Sequence, residues 1–258
     1  MNPKEKIVIK IGSALLSKDN TFNHKFLESK INEISKIHKE NEIVIITSGA
    51  VAVGMEIEKI KERPKEIIKL QLLSGEGQVK LINYYYELFK KNKIDIAQIL
   101  LTHHNFSTQG ERDNFSKIIS EYLKQKVIPI INENDLISKE ELNYKNLFSD
   151  NDILAALIAK EIKADLLLIL TNVDGLYDSN PDSNGNAKMI EIVNVIDEKI
   201  KSMASKETNS LGLGGMYSKI LAAEMVKKDK VKTIIANGKY SIIDILNNKV
   251  KRTLFEVK

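Results

Sequence analysis

The chain has 258 residues, 43% of them hydrophobic, enough to bury a sizeable core as one large α/β domain or two small ones. It contains no cysteine, which removes disulfides, thiolate metal sites and thiol nucleophiles, and no apolar run of the roughly 18 residues that a membrane span needs. Lys+Arg 39 against Asp+Glu 35 leaves a net charge of +4, with lysines interspersed among glutamates as on a solvated surface. The expectation is a cytoplasmic protein with no membrane and no nucleic-acid partner, because Met1–Lys6 leads into a strand without a secretory apolar region.

Taken in chain order, short β-branched or apolar runs alternate with longer amphipathic stretches, the pattern of βαβ units. Strands are expected at Lys6–Ile11, Ile43–Thr47, Asp95–Leu101, Val127–Ile131, Asp165–Leu170 and Val231–Ala236. Helices are expected at Asn23–Lys39, Pro64–Lys90, Arg112–Lys124, Asn151–Lys160 and Met216–Lys228. Several strand candidates are apolar on both faces, as parallel strands between two helix layers must be. The fold class that follows is α/β: a three-layer α/β/α sandwich with a mostly parallel sheet. No linker divides the chain, so one domain over 1–258 is expected, with a softer division near Ala164. The polar stretch Asp178–Lys188 reads as a surface loop, and Gly75–Gln78 inside a helix reads as close packing or a kink, with a ligand role as the alternative.

In such sheets ligands sit beyond the carboxyl ends of the strands. Five of the six expected strands run there into small or polar residues: Gly12-Ser13, Ser48-Gly49-Ala50, Asn132-Glu133-Asn134-Asp135, Thr171-Asn172-Val173-Asp174-Gly175 and Asn237-Gly238. Any one of these could be an ordinary turn; together they describe a rim for a polar ligand. Lys10, at the end of the first strand and followed by Gly12 and Ser13, offers phosphate oxygens a cation and backbone N–H groups, or is a plain surface lysine. The run Leu211–Lys219 (LGLGGMYSK) places three glycines before a helix whose first turn carries Lys219, either a polyphosphate cradle or a flexible loop. It lacks the spacing of a Walker A motif. Asn132–Asp135 combines donors and acceptors suited to a zwitterion such as an amino acid, though Asn and Asp also favour turns. Ser149-Asp150-Asn151-Asp152 precedes an apolar helix, where Ser149 or Asp150 could cap it, or Asp150 could orient the two lysines while Asn151 meets substrate. His103-His104 and Tyr84-Tyr85-Tyr86 read as structural, and no metal-ligand spacing is present.

These residues resemble the amino acid kinase family, and within it the members that phosphorylate glutamate in the first step of proline biosynthesis. The resemblance runs through Val8–Ser13, Thr47–Gly54, Pro129–Asp135, Asp150–Asp152, Gly212–Lys219 and Thr253–Phe255 in order along almost the whole chain. It implies ATP and L-glutamate as substrates, with Ser48, Gly49, Ala50, Asn132, Asn134, Asp135 and Asn151 at the glutamate. Lys10, Gly12, Ser13, Thr171, Asn172, Asp174, Leu213, Gly214, Gly215, Met216 and Lys219 would border ATP. Lys10 and Lys219 would stabilise the transferring phosphoryl group, with Asp150 organising them. Residues 1–163 would form the glutamate-binding half and 164–258 the nucleotide-binding half. The resemblance further implies Mg²⁺ carried with ATP rather than in a protein metal site, a homo-oligomer (dimer or tetramer) and proline as feedback inhibitor. Asn172 stands where the family usually has an acidic residue, and the chain reads as a short form without the C-terminal PUA domain. A carboxylate acceptor is ionised at neutral pH, its reference pKa being about 4.3, so no general base is required. Two other readings stay open: a sister kinase acting on N-acetylglutamate, aspartate, carbamate or UMP, and a non-catalytic amino-acid or nucleotide sensor.

Overall fold

The computed structural model describes residues 4–18, 21–137, 151–181, 183–205 and 215–257. In chain order they form β1 (Lys6–Ile11), α1 (Ser13–Leu16), a hairpin of β2 (Ser17–Lys18) and β3 (Thr21–Phe22), α2 (His24–Ile37), β4 (Glu42–Ile46), α3 (Ala50–Ile57) and α4 (Ile67–Lys91). Then come β5 (Ile96–Leu101), α5 (Gln109–Lys124), β6 (Ile128–Glu133), α6 (Asn151–Glu161) and β7 (Leu166–Thr171). The chain continues through β8 (Leu176–Tyr177), β9 (Met189–Ile190), β10 (Ile192–Val193), α7 (Glu198–Ser205), α8 (Met216–Lys227), β11 (Lys232–Asn237), α9 (Ile242–Leu246) and β12 (Arg252–Phe255).

Eight strands make one sheet in the order β10-β12-β11-β7-β1-β4-β6-β5. Its pairings are parallel except β11 with β12. The three-layer, mostly parallel α/β/α sandwich expected from the alternating runs is therefore the observed architecture. The period of two along β1 decides what each layer receives. Ile7, Ile9 and Ile11 bury into a cluster with Leu27, Ile31 and Ile34 of α2, Leu81, Tyr85 and Phe89 of α4, and Ile242 and Ile245 of α9. Val8 buries on the opposite face with α5, α6 and α8, among Phe115, Ile153, Leu154, Ile220 and Ala223. Each such aliphatic side chain removed from water contributes about 1.5–3 kcal/mol against the entropy of ordering it. Lys10 has the parity of Val8, so β1 aims it at the α6–α8 layer.

Two departures from the sequence reading, and one expectation decided between its alternatives, bear on the site. The stretch Ala50–Ile57 is a helix, α3, which the apolar composition AVAVGMEI hid by showing no polar face. Asn132 and Glu133 belong to β6 rather than to the loop after it, and both are buried. Gly75–Gln78 does not break α4, which runs unbroken for 25 residues. Close packing, one of the expectations for this stretch, is what is found: a Cβ on Gly77 would stand 1.9 Å from the Ala50 carbonyl oxygen, and on the facing helix one on Gly54 would stand 2.0 Å from that of Leu73. Only glycines allow α3 and α4 to cross this closely, and the crossing presents the start of α3 to α4.

Candidate active site

The carboxyl ends of β1, β4, β6, β7 and β11 lie along one edge, as the parallel register requires. Backbone bonds hold the loops leaving them together: Gly12 N–H donates to Leu170 O at 3.0 Å, Thr47 N–H to Ile131 O at 2.9 Å, and Gly238 N–H to Thr171 O at 2.8 Å. A Cβ at Gly12 would meet the Leu170 carbonyl oxygen at 3.0 Å, which explains a small residue where β1 ends.

One end of this rim is charged. Lys10 Nζ lies 2.6 Å from Asp152 Oδ1 and Lys219 Nζ lies 2.9 Å from Asp152 Oδ2, with both lysines 5% exposed and the aspartate 0%. Asp152 is the second residue of α6 and Lys219 the fourth of α8, so two helix N-termini deliver the carboxylate and one ammonium to the strand that delivers the other. Burial pushes the Asp152 carboxyl up, but Lys10 and Lys219 outweigh it and hold the group well below the usual carboxylate range. The hydroxyl of Ser218, also buried, lies 2.9 Å from Asp152 Oδ2 and 2.9 Å from the Gly215 carbonyl. It ties the helix that carries Lys219 to the residue where the glycine run ends.

Among the described residues, the other end is built from neutral amides, serine hydroxyls and the Asp135 carboxylate. Asn151 Nδ2 donates to Ser48 Oγ at 2.8 Å and to the Thr47 carbonyl at 3.0 Å, and approaches Asn132 Oδ1 at 3.3 Å. Asn132 Nδ2 donates to Gln78 Oε1 at 2.9 Å. The Ser74 hydroxyl donates to Asp135 Oδ2, and Gln71 Nε2 donates to the Asp135 carbonyl at 3.0 Å. Gly49 has φ +97, the left-handed conformation that allows the turn from β4 into α3 and leaves Ser48 facing Asn151. Ala50 is buried at the α3–α4 crossing, and Asn134 is half-buried, its N–H donating to Leu101 O at 2.8 Å.

Of the residues expected at a nucleotide, Thr171 ends β7 with its side chain buried, while Asn172 and Ser13 are exposed on the rim. Asp174 is engaged by the loop after β11: Asn237 Nδ2 and Lys239 Nζ approach Oδ1 at 3.0 and 2.7 Å, and the Tyr240 hydroxyl approaches Oδ2 at 3.3 Å. Burial raises the Asp174 carboxyl, yet Lys239, Asn237 and Tyr240 outweigh it and its pKa falls below the ordinary value. Gly215 is exposed at the start of α8, whereas the side chain of Met216 packs into the core.

Leu213, Gly214 and Asp150 lie outside the described residues. The carboxylate found between the two lysines is Asp152, to which the sequence reading gave no role. The signal was present: Lys10 shares the parity of Val8 and must look at the layer containing α6, whose first turn carries Asp152. Ser218, Gln71 and Ser74 carry no individual expectation, because polar residues on amphipathic helices bear no mark of which ones face a site; Gln78 enters only within Gly75–Gln78, where a ligand role is the alternative to packing or a kink.

Known proteins match this chain over most of its length. The model of the amino acid kinase family matches residues 5–237. A Clostridium acetobutylicum protein named glutamate 5-kinase is 38% identical over 266 residues, covering 99% of this chain and 98% of that relative. A Ligilactobacillus salivarius protein of the same name is 36% identical, covering 98% and 97%. One from Hydrogenovibrio crunogenus is 41% identical over 90% of this chain, which spans 61% of that longer relative. Among solved structures, carbamate kinase from Giardia lamblia bound to AMP-PNP superposes with a TM-score of 0.67 at 17% identity over 100% of both chains. UMP kinase from Ureaplasma parvum superposes at 0.63 with 18% identity, over 98% of this chain and 99% of that one. At such identity the structural likeness speaks for the fold alone.

Proposed function

Because the chain belongs to the amino acid kinase family, we propose that it transfers the γ-phosphoryl group of ATP to the γ-carboxylate of L-glutamate, yielding γ-glutamyl phosphate and ADP, the first step of proline biosynthesis. The observation that carries this reading is the pair Lys10 and Lys219 gripping one fully buried carboxylate beside a pocket of oriented amides. Close relatives of nearly equal length bear the name glutamate 5-kinase.

The chemistry asks little beyond alignment and charge neutralisation. The acceptor carboxylate is ionised at neutral pH and needs no base. Lys10 and Lys219 meet the negative charge that spreads over the phosphoryl oxygens, and Asp152 holds both ammonium groups aimed at one point. Asn151 Oδ1 is a buried acceptor without a hydrogen-bond partner among the described residues, and with the Asp135 carboxylate it suits the substrate ammonium. Ser48 Oγ accepts from Asn151, so its own proton is free to go to a substrate carboxylate. Asn134, Gly49, Ala50 and Asn132 would complete the pocket. Thr171, Asn172, Asp174 and the residues from Leu213 to Met216 would border the nucleotide, with Gly12 and Ser13 near its phosphates.

Among the described residues no group of three His, Asp or Glu side chains is placed to hold a metal ion, and both Asp152 oxygens face lysines. In this reading magnesium would be carried by the ATP phosphates and water, where it would supply charge neutralisation. A cytoplasmic location, proline as a feedback ligand and assembly into a homo-oligomer belong to this reading as further proposals. A site with two acceptors for an ammonium favours glutamate over N-acetylglutamate, whose amide carries no positive charge. A coupled ADP-release assay over a panel of amino acids tests this. Turnover with glutamate should exceed that with N-acetylglutamate and aspartate by about 100-fold or more. Equal rates, or no turnover with glutamate, would overturn the assignment.

A further inference from the structure

The amide groups of the pocket are not independent, because one backbone carbonyl dictates how all of them must point. The Thr47 carbonyl can only accept, so Asn151 must turn its NH₂ toward β4, where it reaches Thr47 O at 3.0 Å and Ser48 Oγ at 2.8 Å. The same NH₂ faces Asn132 at 3.3 Å, which obliges Asn132 to present its oxygen there and its own NH₂ on the far side. That NH₂ finds Gln78 Oε1 at 2.9 Å, in a position 8% exposed. Gln78 is therefore the outer end of a chain whose polarity is fixed throughout: Gln78 accepts from Asn132, and Asn132 and Ser48 accept from Asn151.

Gln78 is also held firmly in place. It lies on α4 beside Gly77, the glycine against which the Ala50 carbonyl packs, and one or two turns beyond Ser74 and Gln71 on the same face. Those two hold Asp135 through its carboxylate and its carbonyl. A single helix face thus supports both ends of the Asn132–Asp135 segment.

We propose that Gln78 is a positioning residue for the amino-acid substrate, its side-chain carbonyl fixing the amide polarity of Asn132 and thereby of Asn151 and Ser48. The proposal rests on the glutamate-kinase reading above. With the polarity set, the pocket turns the Asn151 oxygen and the Ser48 hydroxyl proton to the ligand, an acceptor for an ammonium and a donor for a carboxylate. Without Gln78 Oε1, the Asn132 NH₂ is left buried and unpaired, and Asn132 can relieve this only by rotating its amide. That rotation sets NH₂ against NH₂ at Asn151 and disturbs the groups the ligand meets.

The test compares the wild-type chain with Gln78→Met, which keeps the length and loses the acceptor, and Gln78→Glu, which keeps an accepting oxygen at the same reach. Gln78→Met should raise the KM for glutamate about tenfold with the KM for ATP and kcat changed less than about threefold. Gln78→Glu should recover most of that loss. Glutamate protection of each protein against thermal unfolding should follow the same order. A Gln78→Met enzyme with wild-type glutamate KM, or a Gln78→Glu enzyme as impaired as Gln78→Met, would overturn the role of Gln78 while leaving the kinase assignment standing. A wild-type chain that neither turns over nor is stabilised by glutamate would overturn both.

Discussion

The two ends of the rim solve opposite electrostatic problems. At the Lys10–Asp152–Lys219 end, three ionised groups are almost fully removed from water. Their desolvation is tolerable only because each ammonium lies on its own oxygen of one carboxylate. That leaves one net positive charge over three groups, poised for the charge of a transferring phosphoryl group. The Gln78–Asn132–Asn151–Ser48 end carries no ionised group in its hydrogen-bond chain and relies on the direction of amide dipoles, with Asp135 beside it. Buried charge makes the first end costly to disturb in both folding and turnover. Buried polarity makes the second end selective, because a misdirected amide loses a ligand contact while costing less stability than a stranded charge. Disturbances at the two ends should therefore register in different measurements.

The largest effect is expected from Asp152→Asn. Removing the carboxylate strands two buried ammonium groups, so unfolding stability should fall by about 3 kcal/mol, or roughly 6–12 °C in Tm for a chain of this size. Turnover should fall at least about a hundredfold as the two lysines lose their common aim. The pH dependence carries a distinct sign. The folded-state pKa of Asp152 is depressed, so its contribution is fully present above the unfolded carboxyl value of about 3.9 and is lost as pH falls through the folded value. Denaturation curves of wild type and variant should thus stay apart at neutral pH and draw together only in strong acid. Parallel curves across that range would remove Asp152 from the ion triad.

Next come the two cations themselves. Lys10→Ala or Lys219→Ala leaves Asp152 with the other lysine and the Ser218 hydroxyl, a milder insult to folding, but deletes a charge that acts on the phosphoryl oxygens. We expect kcat to drop about 100-fold or more while the glutamate KM moves only a few-fold. Wild-type turnover in both variants would break the comparison at its charged end. A loss confined to the glutamate KM would show that the two ends are not separate.

How far the sequence foretold these ends also differs. The sheet was readable because buried parallel strands are continuous apolar runs, and Lys6–Ile11 matches β1 residue for residue. Helix ends were harder. α3, α4, α5, α6 and α8 are followed by Lys59, Lys93, Lys126, Lys163 and Lys230 in the left-handed conformation, where glycine would have marked the stop. An apolar residue comes next each time, and its N–H bonds back into the last turn, as Ile60 does to Met55 O and Ile94 to Phe89 O. In a lysine-rich sequence that signal disappears into the background. Within the site, Lys10, Lys219, Ser48, Asn132, Asp135 and Asn151 stood out because they end strands or begin helices. Asp152 was visible only as a neighbour in a motif, since its role depends on a helix register. Gln71, Ser74 and Gln78 lie in mid-helix, and only the α3–α4 crossing, dictated by Gly54 and Gly77, reveals what they face.

The smallest of the three effects, and the one that sharpens the neutral end, is expected from Asp135→Ala. Its carboxylate is half-exposed and held by Ser74, so truncation releases a hydroxyl rather than stranding a charge, and Tm should change little. The substrate ammonium, however, loses its one ionised counterpart in the pocket as described. Hydrogen bonds to charged groups contribute about 1.5–3 kcal/mol, so the glutamate KM should rise roughly 10–100-fold with kcat nearly retained. Steady-state kinetics at saturating ATP separate the two parameters. A glutamate KM equal to that of wild type would take Asp135 out of the pocket and leave ammonium recognition to the Asn151 oxygen alone. A collapse of kcat at unchanged KM would mean that this carboxylate serves the phosphoryl end, and the division between a charged and a neutral pole would have to be redrawn.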